Sequence, residues 1–274
     1  MFESLDCLKK FAQLAADGVA EGWHEKNGGN ISYRMRPEEV AFVRSSLPVP
    51  RDEWTPIGAS VPSLEGEFFL VTGSGKHIRN VPRDLEDSSA IAEIDASGEY
   101  YRLWWGLKNG GRPTSEFAPH LMNHAVKKEV SNNKHRVMYH AHPVNLVALT
   151  FVLPMNDKAF TRALWSMMTE CPVIFPEGIG VIPWMVPGGK AIAIETSKVM
   201  ERCNIAVWAH HGLFCSGEDF DMAFGLMETV EKAADILVRV MSTGQQRYPG
   251  ITTENLRDLA ATFNLTLPEK FLVD

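Results

Sequence analysis

Two histidines one residue apart, His140-Ala141-His142, impose the tightest constraint on how this chain folds. They end the segment Arg136-Val137-Met138-Tyr139-His140-Ala141-His142, which reads as a strand. Side chains alternate faces along a strand, so both imidazoles project to one side, within reach of a shared ion. A third imidazole from elsewhere would complete a three-histidine site with an open position, as in catalytic rather than structural zinc centres. Glu116 upstream and His211-Gly212 downstream are the groups that would join them. Spacing alone leaves two alternatives open. The pair could simply line an ordinary strand, and His210 competes with His211 as third ligand.

The chemical case runs through charge. Neutral imidazoles do not quench a divalent ion as thiolates do, so a three-histidine site is a strong Lewis acid. A nearby carboxylate could then remove a proton from a polarised substrate. Glu116 opens a helix, where backbone N–H groups favour the ionised form. A rival pair, His120 and His124, has the i, i+4 spacing of a helical metal site. The glutamate of H-E-x-x-H is missing from His120-Leu121-Met122-Asn123-His124, so packing or hydrogen bonding is the expectation there. His24, His77 and His135 have no partner legible in the sequence.

Bulk properties narrow the class. The chain has 274 residues, 45% of them hydrophobic and 22% charged, enough to bury a large core. A net charge of -7 argues against a nucleic-acid partner but not against a small anion held by amides and hydroxyls. Cys7, Cys171, Cys203 and Cys215 show no C-x-x-C spacing. The first ten residues do not read as a secretion leader, and no apolar run reaches the roughly 18 residues of a membrane span. The expectation is a cytoplasmic protein without a membrane partner.

Periodicity predicts helices over 5–22, 116–130, 144–152, 157–167, 189–202, 223–241 and 252–263, with Thr114 or Ser115 capping the second. Strands are expected at 31–35, 68–71, 136–142, 173–175 and 205–209, and a hairpin at 91–95 and 100–105. Residues 36–66 hold several prolines and read as an irregular excursion. Interleaved strands and helices without a strict βαβ rhythm predict a single α/β domain, a mixed sheet covered by helices.

Two glycine-rich turns stand out. Thr72-Gly73-Ser74-Gly75-Lys76 is not a Walker A motif, since no earlier glycine has the required spacing and His77 follows the lysine. It and Asn27-Gly28-Gly29-Asn30 are turns by default, but both offer unhindered N–H groups beside small donors, which is how an anion nest is built. Ser115 could add a hydroxyl.

The ordered set Asn27-Gly28-Gly29-Asn30, Thr72-Gly73-Ser74-Gly75-Lys76, Thr114-Ser115-Glu116, His140-Ala141-His142 and His211-Gly212 resembles the class II aldolase/epimerase family. The similarity extends over most of the chain, including the 36–66 excursion, Thr169-Glu170-Cys171 and Pro183–Gly188. The resemblance implies a three-layer α/β/α domain over 1–274 with a largely antiparallel sheet. It implies one Zn2+ per subunit on His140, His142 and His211, which settles His211 over His210. It implies Glu116 as the base, with the phosphate of a ketose 1-phosphate on Asn27, Asn30, Ser74, Gly75 and Ser115. Glu170 matches a glutamate that handles the aldehyde oxygen across a subunit boundary, and the family's four-fold symmetry implies a homotetramer with interfacial sites. The implied activity is that of an aldehyde-lyase. A pentulose-phosphate epimerase, a non-catalytic domain such as that of adducin, and a zinc hydrolase are the competing readings. Pro143 after the second strand histidine and His210 beside His211 depart from the family pattern without changing a ligand type.

Overall fold

The chain's first helix, α1 (Asp6–Ala20), buries Leu8, Phe11, Leu14 and Ala15 along one stripe. It stops where Gly22 turns left-handed and the Trp23 N–H reaches back to the Gly18 carbonyl at 3.0 Å. The computed structural model describes residues 5–245 and 250–273. The strands are β1 (Asn30–Arg34), β2 (Thr55–Pro56), β3 (Phe68–Thr72), β4 (Ser89–Ile94), β5 (Tyr100–Gly106), β6 (Val137–Ala141), β7 (Gly180–Ile182), β8 (Ile205–Trp208) and β9 (Gly212–Gly217). They form one nine-stranded sheet in the order β2-β5-β4-β3-β1-β6-β9-β8-β7. All neighbours are antiparallel except β7 and β8.

Helices cover both faces, giving a three-layer α/β/α arrangement. On one side lie α1, α2 (Pro37–Ser46), α5 (Val144–Leu149), α6 (Asp157–Trp165), α7 (Cys171–Ile174), α9 (Phe220–Ser242) and α10 (Thr253–Phe263), around a core that includes Phe11, Ile31, Tyr139, Trp165 and Val230. On the other lie α4 (Phe117–Val130) and α8 (Lys190–Met200), while the one-turn α3 (Leu85–Ser88) leads into β4. Asp219 caps α9 through its carboxylate, 2.8 Å from the Met222 N–H. A long amphipathic helix thus starts just after strand β9 ends.

The apolar core on the α4 side is split. One cluster joins Phe69, Val71 and Ala92 to Phe117 and Leu121; another joins Met138, Trp208 and Phe214 to Ile192 and Val199. Between them runs β1, whose alternation places Ile31 and Tyr33 in the larger core and leaves buried Asn30, Ser32 and Arg34 off it.

Three expectations change. Residues 173–175 are not a strand: α7 occupies 171–174 with Pro172 in its first turn. A three-residue apolar run does not separate strand from helix by periodicity, and a proline inside the first turn favours the helix. The 36–66 excursion is not irregular throughout, because Pro37 starts α2 and Glu39 accepts the Arg36 N–H. Glu116 itself is the N-cap of α4, with Thr114 Oγ1 accepting the Glu116 N–H at 3.3 Å and Ser115 left exposed. Strands β7 and β9 were not anticipated, since β7 spans only three residues and β9 is buried throughout, so neither carries a readable alternation.

Candidate active site

Antiparallel pairing brings distant motifs to one end of the sheet. The start of β1 lies beside the end of β6, with Asn30 opposite His140. The end of β3 lies beside the start of β1, and the turn after it is held to the approach to α4 by the Ser74 N–H on the Arg112 carbonyl (2.8 Å) and the Thr114 N–H on the Thr72 carbonyl (2.8 Å). The β8–β9 connection closes the same end, with Trp208 paired to Gly212. Ser74, Gly75, Ser115, Asn27 and Asn30 are therefore carried by neighbouring turns, although only Asn30 is buried.

The three histidines converge. Ligand nitrogens of His140, His142 and His211 lie within 4.8 Å of one another. His140 Nε2 and His211 Nε2 are 3.3 Å apart, close to the ~3.4 Å separation of two nitrogens about 2.05 Å from one tetrahedral ion. Backbone geometry explains which downstream histidine joins. His210 adopts a left-handed φ of 57°, bonds Thr150 Oγ1 through Nδ1 at 3.0 Å and packs on Phe151. That turn swings His211 inward. Gly212 follows because a Cβ there would sit 2.4 Å from the Ala141 carbonyl oxygen and 2.9 Å from the His142 ring.

The residues fit a metal. His140 donates Nδ1–H to the Leu213 carbonyl at 2.9 Å, and His142 donates Nδ1–H to Glu25 at 2.8 Å. Both rings therefore present Nε2 lone pairs inward, and His142 Nε2 is buried with no hydrogen-bond partner. Burial, helped by its His142 and His211 neighbours, holds His140 well below its ordinary pKa, and burial pushes His211 down to about 4. A buried imidazole nitrogen left without a protein partner, as at His142 Nε2, is what a divalent cation requires.

Glu116 stands next to this cluster, its Oε2 4.0 Å from His140 Nε2 and 2.8 Å from the Asn30 amide nitrogen that donates to it. The expectation that the helix start favours its ionised form is corrected. Glu116 is 6% exposed, and burial raises its pKa despite the Asn30 hydrogen bond and the charge of His142. Desolvation outweighs a half-charge at a helix end. Asn30, expected on phosphate, uses its amide within the protein: one N–H on Glu116 and its carbonyl on the His120 Nε2–H.

His24, missed at the sequence level, holds the 27–30 turn by donating Nδ1–H to the Gly28 carbonyl (3.0 Å) and accepting the Tyr139 hydroxyl at Nε2 (2.8 Å). Lys76 pairs with Asp87 at 2.8 Å. Glu170 is exposed at the N-terminus of α7, and among the described residues no hydrogen bond or ion pair joins it to the histidines or Glu116.

The model of the Class II Aldolase and Adducin N-terminal domain matches residues 9–238. The chain belongs to that family. Rhamnulose-1-phosphate aldolase of Pectobacterium atrosepticum is 44% identical over 255 residues, covering 93% of this chain and 92% of that protein. The enzyme of the same name from Mannheimia succiniciproducens is 44% identical over 90% of each chain. Among solved structures, a sugar-phosphate aldolase from Thermotoga maritima superposes with a TM-score of 0.73 at 28% identity, covering 88% of this chain and 97% of that one. An L-fuculose 1-phosphate aldolase, at 18% identity and a TM-score of 0.60, shares the fold. Like these aldolase relatives, the chain is an enzyme of the aldehyde-lyase kind. No helix among the described residues is long and apolar enough to cross a membrane.

Proposed function

We propose that the protein is a zinc-dependent aldolase that reversibly cleaves L-rhamnulose 1-phosphate to dihydroxyacetone phosphate and L-lactaldehyde, a step of rhamnose catabolism. The observation that carries this reading is a convergent set of three imidazoles beside a buried carboxylate, His140 Nε2 being 4.0 Å from Glu116 Oε2. Relatives named for this reaction, 44% identical over nearly the whole chain, support the choice of substrate.

A zinc ion on His140, His142 and His211 would supply Lewis-acid stabilisation of the negative charge that develops on the ketone half. The remaining work falls to the chain. In cleavage, the hydroxyl on the carbon that becomes the aldehyde gives up its proton, and Glu170 from a neighbouring subunit of a homotetramer is the group assigned to take it. The carbon–carbon bond breaks and its electron pair passes to the ketone half. Glu116, buried and raised in pKa, delivers a proton to that carbon. Asn27, Asn30, Ser74, Gly75 and Ser115 are assigned to the phosphate, far from the breaking bond, where they fix orientation. Asn30 has one amide hydrogen beyond those contacts with which to do so.

The test is incubation with L-rhamnulose 1-phosphate, with and without a chelator, following dihydroxyacetone phosphate release. Release abolished by chelation and restored by zinc is expected. Epimerised product without aldehyde would point to the epimerase branch of the family instead.

A further inference from the structure

The polar seam that divides the α4-side core is an ordered hydrogen-bond chain. Asn30 Nδ2 donates to Glu116 Oε2 at 2.8 Å, and Asn30 Oδ1 faces His120 Nε2. His120 Nδ1 lies 2.6 Å from Ser32 Oγ, which lies 2.8 Å from His124 Nε2. His120, Ser32 and His124 are all fully buried. His120 packs on Phe214 and His124 on Phe69, one from each flanking apolar cluster, with ring centroids 5.0 Å apart in both cases. Apolar groups of similar size would fill this space at lower desolvation cost, so the seam calls for an explanation beyond packing.

We propose that His120 is a positioning residue for the base: through Asn30 it orients the amide that holds Glu116, and Ser32 and His124 lock its tautomer. The proposal rests on the reading of Glu116 as the base.

Donor and acceptor logic gives the chain one direction. An Asn30 N–H on the carboxylate turns the Asn30 carbonyl toward His120, so His120 must donate from Nε2. Its Nδ1 is then a lone pair and accepts the Ser32 hydroxyl. Ser32 in turn accepts from His124 Nε2–H. The chain ends at His124 Nδ1, a bare lone pair, and that atom is buried without a partner. Reversing every bond would put an N–H donor there with no acceptor, the costlier of the two defects. Both rings are held neutral, His120 pushed down to about 3 by burial, and His124 well below its ordinary value by burial together with His120, Arg34 and Arg136. Neutral rings can pass the constraint along; a protonated His120 would present a second donor to Ser32 and break it.

Histidine-selective 15N NMR of the wild-type protein, with the His120 signal assigned by its loss in His120→Gln, reads the tautomers directly. Nε2–H with a bare Nδ1 is expected on His120 and on His124; a proton on Nδ1 of either overturns the proposal. In His120→Leu, kcat should fall about tenfold or more with KM within about twofold and metal content unchanged, because Asn30 loses the bond that holds its amide. Exchange of the carbon-bound proton of dihydroxyacetone phosphate should fall in step. His120→Gln keeps an N–H near the Nε2 position and should recover most of kcat. A folded, metal-loaded His120→Leu with kcat within twofold of wild type, or a Gln variant no better than Leu, overturns the positioning role; if Leu does not fold, the tautomers and the Gln variant decide. Glu116→Gln assayed alongside separates the two readings, since exchange surviving there overturns the base assignment whatever His120 does.

Discussion

The His142 Nδ1–H donates to the Glu25 carboxylate, 2.8 Å from Oε1 and 3.0 Å from Oε2. Glu25 is a surface residue, yet this bond selects the His142 tautomer that leaves Nε2 bare for a metal. Glu25→Ala should therefore weaken metal binding about tenfold to a hundredfold while leaving the fold intact. Competition against a chromophoric chelator measures it. Unchanged affinity would remove Glu25 from the metal's support.

His210 and His211 are adjacent but face opposite surroundings, His210 on Thr150 and Phe151 and His211 on His140. His211→Ala should reduce the bound metal to near zero and abolish turnover. His210→Ala should keep the metal. Elemental analysis of both purified variants checks the pair; metal loss in His210→Ala alone would reverse the assignment.

Glu116→Gln preserves shape beside His140 but cannot exchange a proton. Metal content should stay at the wild-type level. Solvent-proton exchange into dihydroxyacetone phosphate should fall by about 10²–10⁴-fold. Deuterium incorporation followed by NMR provides the measurement, and near-normal incorporation would rule this carboxylate out as the base.

Acid should unfold the metal-free protein well above the carboxylate range. Burial pushes His24 and His135 down to about 4 and His120 to about 3, and holds His124 well below its usual 6.5. The unfolded chain binds protons at these sites near pH 6.5, whereas the folded chain does not. Stability is therefore full above about 6.5 and lost as pH falls toward 4, each site contributing up to about 1.4 kcal/mol per pH unit. Denaturant melts between pH 7 and 5 measure the slope. His135→Gln lies outside the metal cluster, the one hydrogen-bond partner of its ring among the described residues being Ser216, and should flatten the slope by about one proton. An unchanged slope would contradict the burial of that ring as the cause.

Much of the site was legible before any coordinates. His140 and His142 on one strand face required only the alternation of a pleated chain. The turns at 27–30 and 72–76 announced themselves by glycines beside small polar residues. What spacing left undecided was His210 against His211, which a single left-handed φ at His210 resolves. The role of Asn30 was not legible either. Its contact with Glu116 spans 86 positions, and with His120 it spans 90. Likewise, i, i+4 spacing suggested a possible metal pair at His120 and His124 but carried no sign of Ser32 lying between them, because that meeting depends on β1 packing beneath α4.

Local rules act over a few residues, so the chain by itself determined most of its helices, most of its strands and the faces on which the strand histidines project. Short runs such as 173–175 and 212–217 escaped them, since three apolar residues do not separate strand from helix and the fully buried 212–217 has no amphipathic pattern to read. Only the assembled sheet decided that the starts of β1 and β9 meet the ends of β3 and β6. There, burial raises the Glu116 pKa and three imidazoles face one another. Desolvation and donor pairing belong to the packed interior, and no stretch of the unfolded chain contains them.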